Sequence, residues 1–107
     1  MELKQYSIIL VNLNPTIGSE IKKTRPYVII SPNEINRFLN TIVVAPMTTN
    51  LKKYPTRIAV KHKDKKGMIA IDQIRTIDKS RILKSFDRLS KSEIQKCKAI
   101  IRETFVD

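Results

Sequence analysis

Cysteine, histidine, glycine and tryptophan are nearly missing from this chain, which holds one, one, two and none of them among its 107 residues. Each scarcity removes a class of chemistry. Cys97 alone makes no internal disulfide framework, and Cys97 with His62 is too small a set for a Cys/His metal cage. A Ser-His-Asp or Cys-His arrangement needs a positioned imidazole, whereas His62 lies in VKHKDKK and reads as a solvated turn residue. Gly18 and Gly67 stand too far apart to supply a dinucleotide-binding GxGxxG or a phosphate-cradling GxxxxGK[ST]. The ten Asp and Glu residues are scattered, and two-metal phosphodiester chemistry needs clustered carboxylates. No metal and no cofactor is expected. Apolar runs stay far short of the roughly 18 residues of a membrane span, and the N-terminus lacks a signal-peptide pattern, so a cytoplasmic location is expected.

What is abundant is positive charge. Lys and Arg number 21, giving a net charge of +11 and a pI near 10.1. Such a surface attracts polyanions: nucleic acid, an anionic membrane or an acidic protein segment. Solubility alone is the plainer reading. A membrane role is disfavoured, because no helix pairs a broad apolar face with a basic one. Apolar content of 41% and charged content of 29% are globular values, and residues 1–107 form one domain able to bury a core.

Strand-like segments fill the first three quarters. Tyr6 to Val11 and Tyr27 to Ile30 are branched, apolar runs, with Pro26 at the entry of the second. Ser31-Pro32-Asn33-Glu34 predicts a short helix with Ser31 as N-cap and Glu34 closing a capping box, ending near Asn40. Thr41 to Pro46 is continuously apolar and so central. Thr56 to Lys61 alternates, and Gly67 leads into MIAIDQIRTI, where a bulge near Asp72 accounts for a slip in the apolar pattern. Ser90-Lys91-Ser92-Glu93 is a second capping box; Ile94, Cys97, Ile101 and Phe105 then predict an amphipathic helix over 91–104 with Cys97 in its core stripe. Five or six antiparallel strands with a closing helix suit a small barrel.

Between the first two strands runs NLNPTIGSEIKKTRP, longer than a tight turn requires. Arg25 closes it at the mouth of the second strand. Thr48 and Thr49 leave the third strand, and Asp72-Gln73 interrupts the fifth. A guanidinium and a hydroxyl converging on one point suit a phosphate. The plainer reading pairs Arg25 with Glu20 or Asp72 and makes Thr48 a strand end. Spacing alone favours the plainer one.

The ordered set Asn12-Leu13-Asn14-Pro15, Gly18-Ser19-Glu20, Arg25-Pro26, Val28 to Pro32, Asn36-Arg37, TIVVAPMT, Gly67 and DQIRTID resembles the MazF/PemK (Kid-type) toxins of bacterial toxin–antitoxin pairs along nearly the whole chain. The resemblance implies a small SH3-like antiparallel β-barrel, mainly β, with a short helix after strand two and a C-terminal amphipathic helix. It implies a symmetric homodimer that cuts single-stranded RNA at specific sequences without metal. The 2′-hydroxyl attacks the adjacent phosphate and leaves 2′,3′-cyclic phosphate and 5′-hydroxyl ends. The family's catalytic arginine maps onto Arg25 and its threonine onto Thr48. Asn14, Ser19, Glu20, Thr49, Asp72 and Gln73 become candidates for contacting the RNA, the last five at base edges. Lys22, Lys23, Lys52 and Lys53 suit backbone phosphate. The implied partner is an acidic antitoxin whose disordered tail covers the RNA groove.

A guanidinium is a poor proton acceptor at neutral pH, so Arg25 suits charge stabilisation on the phosphorane, with proton donation to the leaving oxygen open to it. Two departures stand out. Tyr6-Ser7 replaces a Gly-Asp common in the family, and Ile21-Lys22-Lys23-Thr24 replaces a glycine-containing approach to Arg25. A gyrase-poisoning toxin of the same fold, like CcdB, relies on a C-terminal tryptophan, and this chain ends Phe105-Val106-Asp107. A non-catalytic RNA- or antitoxin-binding relic is the other alternative.

Overall fold

The two branched runs that flank the long loop pair with each other. In a computed structural model, which describes residues 2–12, 24–49, 51–52, 54–62 and 65–106, Ser7–Asn12 (β1) and Thr24–Ile29 (β2) form an antiparallel ladder. Ile9 lies opposite Tyr27 and Val11 opposite Arg25. The middle of the connecting loop, 13–23, lies outside the described residues, and with it Asn14, Gly18, Ser19, Glu20, Lys22 and Lys23.

A six-residue helix, Asn33–Phe38 (α1), follows and leads into Thr41–Thr48 (β3). Then come Arg57–His62 (β4), Lys65–Ala70 (β5), a 3-10 turn Ile71–Gln73, Arg75–Asp78 (β6), a second 3-10 turn Lys79–Arg81, Ile82–Arg88 (β7) and the helix Lys91–Ile101 (α2). The strands run β4-β5-β3-β2-β1-β7 across a curled antiparallel sheet, with β6 also paired to β3. Among the described residues seven strands thus stand where five or six were expected. The apolar run of β3 does mark the central strand.

In place of the expected bulge at Asp72, the chain breaks its ladder to β3 and resumes it elsewhere on the same strand. β5 pairs with the end of β3 (Thr48 opposite Met68), and β6 pairs with its start (Val44 opposite Arg75). The Ile71–Gln73 turn lets the chain leave one half of β3 and rejoin the other. A bulge would keep one strand in register; a turn of three residues was needed, because β3 is long enough for two partners end to end.

Continuous apolar runs in an antiparallel sheet imply that both faces are covered, and they are. One cluster joins Ile8, Val28, Ala45, Met47, Ile58, Val60, Ile69 and Ile71 to Cys97, with Ile94, Ile100 and Ile101 of α2 packed on it. The alternate residues Ile9, Val11, Tyr27, Ile29, Ile42, Val44 and Ile77 form the second cluster. The period-two alternation of a strand sends neighbours to opposite faces, so one run feeds two cores.

Two helix starts come out differently. Ser90 caps α2 as expected: its hydroxyl accepts from Glu93 N at 3.2 Å, and the Glu93 carboxylate accepts from Ser90 N at 2.9 Å. At α1 the expected box does not form, and Pro32 is the N-cap. Ser31 Oγ is committed elsewhere, donating to Asn36 Oδ1 at 2.5 Å and accepting from Val43 N at 3.1 Å. Asn36, buried on α1, in turn donates to the carbonyls of Ser31 and Leu3 at 2.9 and 3.2 Å. A buried amide with its bonds satisfied locks α1 to β3 and to the N-terminal segment.

α2 is regular only to Ile101 and ends in a wider π-type turn, Arg102–Val106, rather than running as one helix to 104. β1 starts one residue late because Tyr6 takes a left-handed backbone with φ 67°. That conformation costs a non-glycine residue about 1–2 kcal/mol. The compensation is packing: Tyr6 is buried, its N–H donates to Ile29 O at 2.7 Å, and its carbonyl accepts from Leu89 N at 2.9 Å.

Ile29 is fully buried, so Ile29→Ala is expected to lower stability by about 2–5 kcal/mol, read as a shifted urea midpoint at unchanged slope. Burial pushes the Cys97 thiol up to about 12, with the nearby Glu93 charge adding to the rise. The folded state therefore holds the thiol neutral, and its stabilisation is complete below the ordinary thiol value of about 8.5. It is lost as pH rises from there toward 12. Between pH 7.5 and 10.5 the native chain should lose about 1–3 kcal/mol more than Cys97→Val does, measured by urea melts of both.

Candidate active site

The register of the central strands decides which site residues meet. β2 and β3 pair as Tyr27 opposite Pro46, Val28 opposite Ala45 and Ile29 opposite Val44. Pro26 has no N–H to donate, and the ladder to β3 stops at Tyr27. Carried two residues past that end, the same register sets Arg25 across from Thr48. Directly opposite residues share a sheet face, so both side chains belong to the face of Tyr27, Ile29 and Val44. Arg25 is exposed at the start of β2, and Thr48 is half-buried at the end of β3.

The same face continues across the sheet. Thr48 lies opposite Met68, and Met68 lies opposite Ala59. Two residues from Ala59, on the same side of β4, stands Arg57, opposite Ala70. The burial of β4 fits this alternation: Ile58 and Val60 point into the core, while Ala59 and Lys61 are exposed. Arg75, opposite Val44, adds another guanidinium to this face. A groove of about 500 Å³ flanks Met68, lined by Leu51, Ala59, Lys61, Lys66 and Lys96 among others.

Asp72 does not pair with Arg25. Its Oδ1 accepts from Thr56 Oγ1 at 2.9 Å and lies 3.6 Å from Arg57 Nε. The turn that carries Asp72 and Gln73 packs beside β3, leaving both residues exposed. Thr49 is exposed directly after Thr48. Thr48 ends β3 with Thr49 directly after it, Asp72 and Gln73 ride on the turn packed beside the middle of β3, and Arg25 opens β2, whereas Lys53 joins the loop residues 13–23 outside the described part. Among the described residues no three His, Cys, Asp or Glu side chains group as metal ligands do. His62 is not a turn residue: it ends β4, with its ring edge-on to Phe86 at 5.1 Å.

Arg57 and Tyr54 were missed from sequence. The guanidinium of Arg57 sits 4.9 Å from the Tyr54 ring centroid, and Lys52 Nζ sits 5.4 Å from it. The alternation in TRIAVK already put Arg57 on the outer side of its strand; nothing local showed that this side is continuous with Thr48.

Residues 4–105 match the family model for PemK-like, MazF-like toxins of type II toxin–antitoxin systems. The chain is 35% identical over 98 residues to the endoribonuclease MazF of Staphylococcus epidermidis, covering 86% of this chain and 82% of that one. A MazF solved with MazE from Deinococcus radiodurans superposes with a TM-score of 0.81 at 20% identity, over 96% of this chain and 95% of that chain. An endoribonuclease from a mycobacterial species, solved with its cognate antitoxin, gives 0.79 at 20% identity over 94% and 91%. At such identities the structural likeness speaks for the fold.

Gly67 runs close against the backbone of Thr48. A Cβ on Gly67 would come within 3.1 Å of the Thr48 carbonyl oxygen, closer than a methyl group sits without displacement. Gly67→Ala is expected to push that carbonyl by a few tenths of an ångström and cost about 1–3 kcal/mol. A high-resolution structure and a melting curve of the variant check both.

Proposed function

This chain belongs to the PemK-like, MazF-like toxins of type II toxin–antitoxin systems, and from that premise we propose that it is a metal-independent endoribonuclease that cleaves single-stranded RNA at specific sequences. The observation that supports the reading is the β2–β3 register: extended two residues beyond Tyr27 and Pro46, it brings the exposed Arg25 and the half-buried Thr48 to one face.

The chemistry asks little else of the protein. A 2′-hydroxyl attacks the adjacent phosphorus and gives up its proton to water, the P–O bond to the 5′-oxygen breaks, and that oxygen takes up a proton. The products are a 2′,3′-cyclic phosphate and a 5′-hydroxyl. Since the nucleophile belongs to the substrate, no protein nucleophile is required. Arg25 meets the growing negative charge on the non-bridging oxygens with a planar, bidentate donor, and Thr48 donates one further hydrogen bond. The guanidinium can also protonate the leaving oxygen. Thr49, Asp72 and Gln73 contact base edges, together with Asn14, Ser19 and Glu20 from the long loop. Lys22, Lys23, Lys52 and Lys53 hold phosphates. Asp72 keeps an acceptor for a base donor only through its second oxygen, since Oδ1 serves Thr56 and faces Arg57.

The protein acts as a homodimer whose basic surface is also the target of an acidic antitoxin segment. The charge of +11 favours both ligands and makes them rivals for one face. In a cytoplasmic setting that rivalry is the off-switch.

Long RNA incubated with the purified protein in EDTA should be cut at one short motif, with 2′,3′-cyclic phosphate and 5′-hydroxyl ends. Arg25→Ala and Thr48→Ala should each lower the rate about 10²–10³-fold while the far-ultraviolet dichroism and the dimer persist. Full cleavage by a folded Arg25→Ala protein would refute the assignment.

A further inference from the structure

We infer that Tyr54 is a stacking platform for one base of the bound RNA, a subsite separate from the phosphate held by Arg25 and Thr48. The inference rests on the endoribonuclease reading and extends it to a second contact. Tyr54 is the only exposed tyrosine of the three: it is 41% exposed, while Tyr6 and Tyr27 retain 4% and 2%. It belongs to neither core cluster, so packing gives no reason for an aromatic ring there.

The ring is nonetheless held in place. Arg57 stacks on it at 4.9 Å, and Arg57 N donates to Tyr54 O at 3.0 Å. Arg57 is itself fixed, with a side chain only 12% exposed and its Nε 3.6 Å from Asp72 Oδ1. A half-exposed ring oriented by a partly buried cation is what a base needs, because every base offers a π-face and stacking tolerates any sequence. Lys52 lies 5.4 Å from the same ring on an exposed stem. An arriving base displaces it, and its ammonium then meets the phosphate of that nucleotide.

The location fits one strand of RNA crossing one face. Thr48, Met68, Ala59 and Arg57 share that face through two successive pairings. Two inter-strand spacings and two residues of rise separate Thr48 from Arg57, on the order of 12 Å. The Asp72–Gln73 turn is tied to the platform through Arg57, so the stacked base sits beside the residues offered for base reading.

The test uses a fluorescein-labelled, uniformly 2′-O-methylated RNA of mixed sequence, which lacks the attacking hydroxyl, in EDTA. Anisotropy should show Tyr54→Ala binding about 5- to 150-fold more weakly than the native chain, with Tyr54→Phe close to native. The slope of affinity against salt should not change in Tyr54→Ala, and should fall by about 1 in Lys52→Ala. With no tryptophan present, intrinsic emission comes from tyrosine. It should be quenched when unlabelled RNA binds the native chain, and the quench should vanish in Tyr54→Phe. Native cleavage of unmodified RNA together with native-like binding by Tyr54→Ala overturns the platform and leaves the enzyme reading intact. Absence of both cleavage and binding in the native chain overturns both. Loss of binding in Tyr54→Phe as severe as in Tyr54→Ala also overturns it, because the ring would then not be the element recognised.

Discussion

β3 is the constraint on which this fold depends. Thr41–Thr48 runs without a break for eight residues, pairs with β2 on one side, and shares its other side between β6 and β5. One strand therefore sets the register of three others. It also carries Thr48 as its last residue, two positions beyond the Tyr27–Pro46 end of its ladder to β2. A one-residue slip of β2 would exchange Arg25 for a neighbour and turn its side chain to the other face. Such a slip would also move Tyr27, Val28 and Ile29 between two filled cores, so apolar packing guards the register of β2.

The positive charge is distributed along the same logic. Where strands alternate, residues facing the cores are apolar, and those left over at the ends and edges carry Arg25, Arg57, Arg75 and the lysines around the groove beside Met68. Asp72 is one of few acids near them. Its pair with Arg57, a partly exposed contact, adds little to stability. What it does is orient: the turn, the guanidinium and the Tyr54 ring become one unit.

Much of the architecture could be read before any coordinates. Ile8 to Val11, Val28 to Ile30 and Thr41 to Pro46 announced buried strands by their continuity, and Ser90 with Glu93 announced the start of α2, because both signals are local. Ser31 with Glu34 carried the same local signal and failed. The Ser31 hydroxyl had better partners in Asn36 and Val43, one of them on another element. Ile82–Arg88 went unread as a strand because its burial is partial, so its apolar pattern is faint. The site divides in the same way. Motif order pointed to Arg25, Thr48, Thr49, Asp72 and Gln73, while Tyr54 and Arg57 have no local mark.

By itself the sequence determined the composition of the cores, the central place of TIVVAP, the absence of a Cys/His cage, the basic charge and the family resemblance on which the activity is proposed. These follow from residue type and short spacing, which act wherever the chain goes. Only the tertiary structure decided that Tyr27 pairs with Pro46 in the ladder beside Arg25 and Thr48, that Asp72 turns to Arg57 rather than Arg25, and that MIAIDQIRTI splits between two stretches of one strand. Those outcomes depend on pairings between residues distant in sequence. Their register is settled by which set of alternating side chains fills both faces of the sheet at once.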